Sequence, residues 1–89
     1  LILKTTPGFE RALRRSSDSQ ARAIGTALSK LLEAFGRPHE QLGLRKLRKN
    51  IFEFRVGLDL RIIFRKDDDA LFLLEVGNHD TVKRFLERF

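Results

Sequence analysis

The sequence predicts an α+β fold, with an N-terminal α-hairpin packed on an antiparallel β meander and a C-terminal helix. Three observations predict it. Residues 9–35 carry apolar side chains at helical spacing, residues 51–76 alternate with period two, and residues 80–89 return to helical spacing. With 89 residues the chain holds one domain, residues 1–89, and a modest core.

Leu1 to Lys4 is short and apolar and reads as an edge strand rather than a signal peptide. Position 1 is not Met, which suggests a trimmed chain. Thr6 and Pro7 supply an N-cap and a proline at the first helical position, where a missing N–H costs nothing. Phe9, Ala12 and Leu13 then fall on one helical face, and Ser16 to Ser19 interrupt it. A second helix follows, with Ile24, Leu28, Leu31, Leu32 and Phe35 as its stripe. Gly36 and Pro38 stop it. Residues 37–50 read as a connection anchored by Leu42, Leu44 and Leu47, with its cations in water.

Phe52, Phe54 and Val56 alternate with Glu53 and Arg55, and Gly57-Leu58-Asp59 turns the chain. Leu60, Ile62 and Phe64 form the next apolar face, Asp67 to Asp69 turn again, and residues 70–76 make a third strand. Asp80 is expected to cap a final helix that carries Val82, Phe85, Leu86 and Phe89 on one side. Keeping apolar residues on one face pairs Val56 with Leu60, Phe54 with Ile62, Leu60 with Val76, Ile62 with Leu74 and Phe64 with Phe72. The opposite face then carries Arg55, Arg61 and Glu75 in one row, with Glu53, Ile63 and Leu73 in the next.

Lys and Arg outnumber Asp and Glu by 18 to 12, a net charge of +6 that attracts polyanions or simply keeps the domain soluble. The absence of cysteine excludes disulfides and thiol chemistry and fits a reducing cytosol. Apolar runs are too short to span a membrane. His39 and His79 are isolated and show no metal-ligand spacing, so neither a metal nor a cofactor is expected.

Opposed Arg55 and Arg61 cost the sheet about 0.2–1 kcal/mol, a cost more readily kept if an anion sits between them. Glu75 is the alternative partner for Arg61. His79 follows a bend permitted by Gly77; it either transfers protons beside the guanidiniums or merely belongs to the turn. Glu53 is open to two roles, general base toward a 2′-hydroxyl or salt-bridge partner. Ile63, Leu71 and Leu73 read as an apolar patch, either a docking site for a protein partner or covered by the chain's own N-terminal or 37–50 segment.

Lys46-Leu47, Phe52-Glu53-Phe54-Arg55-Val56-Gly57, Leu60-Arg61-Ile62-Ile63-Phe64, the acidic turn and Val76-Gly77-Asn78-His79-Asp80 together resemble the RelE/ParE superfamily of bacterial toxins. The resemblance spans nearly the whole chain and is strongest over residues 46–80. It implies a toxin–antitoxin module in the cytoplasm, with a cognate antitoxin held in a hetero-oligomer through Ile63, Leu71 and Leu73. RelE-like members cleave mRNA in the ribosomal A site without a metal. In that case Arg61 holds the phosphate, Arg55 stabilises the transition state and His79 serves the leaving group, with Glu53 as the candidate base. Arg45, Lys46, Arg48, Lys49 and Arg65 would contact RNA backbone. ParE-like members share the fold and poison DNA gyrase, and a non-toxic binding module is a third possibility. One departure concerns the C-terminal tyrosine frequent in RelE-like enzymes: this chain has no tyrosine, and Lys83 or Phe85 falls near its place.

Overall fold

The structure is a computed structural model that describes residues 2–36 and 43–88, the side chains of 34–36 excepted. The expectations placed on Phe35, Pro38, His39, Leu42 and Phe89 lie outside the described residues or side chains. The elements are β1 (Ile2–Thr5), α1 (Pro7–Arg14), α2 (Asp18–Gly36), β2 (Leu44–Arg48), β3 (Ile51–Val56), β4 (Leu60–Lys66), β5 (Ala70–Gly77) and α3 (His79–Arg88). The strands form one sheet in the order β1-β5-β4-β3-β2. Three pairings are antiparallel, but β1 runs parallel to β5, so the sheet is mixed rather than wholly antiparallel.

Local chemistry sets the helix starts. The Thr6 hydroxyl accepts from the Phe9 N–H at 3.3 Å and donates to the Leu73 carbonyl at 2.8 Å, so one side chain caps α1 and ties it to β5. Before α2, the Ser17 hydroxyl accepts from the Gln20 N–H at 3.2 Å while the Gln20 side chain accepts from the Ser17 N–H at 3.0 Å, a reciprocal capping box. For α3 the cap is Asn78 rather than the expected Asp80. The Asn78 Oδ1 accepts from the Thr81 N–H at 3.0 Å and its hydroxyl at 3.1 Å. The helix begins at His79, two residues too early for Asp80 to serve.

Residues 44–48, read from the sequence as part of a connection, form an edge strand paired with β3. A register shift between Lys46 and Arg48 interrupts its alternation. The β3–β4 register matches the expectation: Phe54 faces Ile62, Arg55 faces Arg61 and Val56 faces Leu60. Gly57, at φ 65°, supplies the left-handed residue of that hairpin loop. The β4–β5 register does not match. Ile62 faces Val76, Ile63 faces Glu75 and Phe64 faces Leu73, with a bulge between the last two pairs. Leu74 is the extra residue, and beyond it the apolar alternation of β5 reverses.

The bulge divides the core. On one face α1 and α2 cover Phe54, Val56, Ile62, Phe64, Leu71, Leu73 and Val76, packing Phe9, Ala12, Ile24, Ala27 and Leu31 against them. Phe52 and Phe64 stack there with ring centroids 5.5 Å apart. On the other face α3 covers Ile51 and Ile63 with Val82, Phe85 and Leu86, and Leu47 and Leu74 join this smaller cluster. Ile63, Leu71 and Leu73 are therefore buried, at 0–1% exposure, and form no surface patch. The bulge turns Leu71 and Leu73 toward α1 and α2, where Leu3 of the N-terminal strand also packs, and Ile63 is covered by α3 together with Leu47 of the 37–50 segment.

Candidate functional site

The β3–β4 hairpin and the β5–α3 junction meet at one corner of the sheet. Pairing sets Gly77 across from Arg61, so no side chain stands opposite the arginine on β5. A Cβ on Gly77 would collide with Thr81, which holds the first turn of α3 tight against the end of β5. That tight bend brings His79, the first residue of the helix, to the corner. Arg61 and His79 line a common depression of about 360 Å³ together with Leu58, Asp59, Asn78 and Asp80.

Arg61 is not neutralised by Glu75. Its Nε lies 2.9 Å from Oε1 of Glu53, and the two side chains are 17% and 8% exposed. The expectation for Glu75 fails because the bulge moves that residue opposite Ile63, where its carboxylate accepts from the Val76 N–H at 3.1 Å. Of the two roles open to Glu53, the structure shows the salt bridge. As the buried partner of Arg61 it holds the guanidinium by one edge, leaving the Nη hydrogens as donors. Arg55 lies across from Arg61 and is exposed; His79 is exposed as well.

The remaining cations lie elsewhere. Arg45, Lys46 and Lys49 are on β2 or just beyond it, two strands from Arg61. Arg48 donates from Nη2 to the Leu86 carbonyl at 2.7 Å, satisfying the C-terminal end of α3. Arg65 lies over the Phe72 ring at 4.6 Å and reaches Asp67 at 3.3 Å. Sequence reasoning did not single out Asp59, Asn78 and Asp80 as lining residues. The signal available for Asn78 was its place three residues before Thr81, the spacing of a side-chain cap. Among the described residues no group of three or more His, Cys, Asp or Glu is gathered as a metal site.

The family model for the ParE toxin of the type II toxin–antitoxin system parDE matches residues 3–82. The chain belongs to this ParE toxin family, within the RelE/ParE superfamily. It is thus the toxin component of a toxin–antitoxin module. A search of curated protein sequences finds no match. Among solved structures, the chain resembles one in the intact RelBE toxin–antitoxin complex of E. coli, with TM-score 0.65, 14% identity and coverage of 86% of this chain and 94% of that one. It resembles a chain of the RelB–RelE complex of Methanococcus jannaschii at TM-score 0.68 and 16% identity, covering 92% and 96%. A chain of the DinJ–YafQ complex of E. coli gives TM-score 0.65 and 18% identity, covering 90% and 94%. At such identities these likenesses establish the α+β fold of the ParE-family chain and nothing finer.

Proposed function

We propose that this toxin arrests growth by cutting messenger RNA on the ribosome, with the Arg61–His79 depression as the cleaving site. The observation that carries the reading is the meeting of a guanidinium and an imidazole in one polar depression. The scissile phosphate docks on the Arg61 Nη donors, and Arg55 adds charge stabilisation from across the hairpin. The 2′-oxygen attacks phosphorus and its proton passes to a carboxylate at the rim, Asp59 or Asp80. The bond to the 5′-oxygen breaks and His79 protonates that leaving oxygen. Glu53 positions Arg61 and is not the base, because it is buried in an ion pair. Arg45, Lys46 and Lys49 on the β2 edge add attraction for RNA backbone. Toxin–antitoxin complexes from several organisms among the structural neighbours support a cognate antitoxin as partner.

A second reading, inhibition of DNA gyrase without cleavage, is favoured by the ParE family match and by the half-neutralised Arg61 in a chain without tyrosine. Primer extension on mRNA after induction separates the two. Cuts at A-site codons that disappear with His79→Ala support the first reading. Intact mRNA accompanied by gyrase-dependent DNA breaks would replace it with the second.

A further inference from the structure

A larger concavity, about 560 Å³, is a different cleft, between the end of α1 and the outer face of α3. Three arginines line it: Arg15 at the end of α1, and Arg84 and Arg88 one turn apart on α3. All three are exposed, and among the described residues none makes an ion pair. Two like charges at i and i+4 repel on a helix, and a third brought in from another element adds to that repulsion. Asp59 and Asn78 line both this cleft and the Arg61–His79 depression, so the two concavities are continuous across the corner.

We infer that this cleft carries the single-stranded RNA backbone onward from the scissile phosphate, with Arg15, Arg84 and Arg88 engaging the flanking phosphates. The inference rests on the cleavage reading and extends it by naming the path of the substrate. Three arginines outnumber the two carboxylates of the lining, Asp59 and Glu75, and the rest of its polar groups favour nucleic acid over an acidic peptide. Ser16, Gln20 and Thr81 offer hydrogen bonds suited to sugar hydroxyls, whereas the apolar residues beneath, Ala12, Leu60 and Val76, are buried or half-buried and form no side-chain pocket for a peptide anchor. Guanidiniums that form no ion pair among the described residues, on a rim whose hydroxyls and amides outnumber Asp59 and Glu75, match a strand of phosphates and riboses.

The test is fluorescence anisotropy with a labelled 2′-O-methyl RNA oligonucleotide, which binds but cannot be cleaved. Wild type, Arg15→Glu/Arg84→Glu and Arg55→Ala are compared over a salt series, with circular dichroism confirming the fold of each. The cleft double variant is expected to lose at least about tenfold in affinity, and its log K against log salt slope to flatten by roughly 1.4, two phosphate contacts on a single strand. Arg15→Lys/Arg84→Lys retains most of the binding. If Arg55→Ala weakens RNA binding while the double variant binds as wild type, the cleft inference falls and the cleavage reading stands. If the double variant keeps RNA but loses capture of the co-expressed antitoxin, the cleft belongs to a protein partner and the inference is overturned. Wild type that binds no RNA overturns both.

Discussion

The two faces of the sheet are built differently. Beneath α1 and α2 lies an apolar face in which Phe64, Ile62, Leu71 and Leu31 are wholly buried. Beneath and beside α3 lies a small apolar cluster that gives way, within one register step, to a buried ion pair and then to a polar depression. The first face holds the larger buried core, so most of the stability resides there. The second exchanges apolar contact for charge held in a fixed geometry, and it puts the proposed site beside α3 rather than in the core. Variants on the two faces should therefore fail in different ways.

The largest stability loss is expected from the apolar face. Phe64→Ala should cost about 3–5 kcal/mol, enough to unfold much of so small a domain, read by urea denaturation. Arg61→Ala comes next, at roughly 3 kcal/mol, the low end for a broken buried pair, because part of the arginine is wet. The loss is expected to come mainly from Glu53 left buried without a partner, so Glu53→Gln/Arg61→Gln should recover most of it. A double variant no more stable than Arg61→Ala would contradict the pair's role. Gly77→Ala should cost about 1–3 kcal/mol by pushing α3 off β5, seen as faster hydrogen exchange in the first turn of α3. Asn78→Ala, which removes only the cap, should cost about 1 kcal/mol by the same denaturation measurement.

Much of the apolar face was legible in the sequence. Helical spacing in Phe9, Ala12, Ile24 and Leu31, and the alternation of Phe52, Phe54 and Val56 continued by Leu60, Ile62 and Phe64, mark the face that meets the helices. Arg61 and His79, which the structure brings to one depression, were legible as candidate residues, but their wiring was not. Ala70 to Leu74 is five consecutive apolar residues, so no polar position marks where the ladder bulges, and a one-residue slip there exchanges the faces of Leu71 and Leu73. The same slip removes Glu75 from Arg61 and leaves Glu53 as its partner. The strand at 44–48 was hidden for another reason: Leu44 packs with one face and Leu47, three residues on, with the other, so no one-sided apolar alternation marks it. The cover that α3 provides for Ile63 is a long-range contact with no local signature.

The central claim is that chemistry resides at the Arg61–His79 corner, where Arg61 also serves the fold through Glu53 and His79 does not. His79 is exposed, so His79→Ala should change stability by no more than about 0.5 kcal/mol. The most direct test is primer extension on mRNA after induction of wild type and His79→Ala at matched protein levels. Cleavage by the variant is expected to fall at least about a hundredfold, the usual contribution of a general acid, with the fold intact. Cuts of wild-type intensity from a folded His79→Ala protein would contradict the account.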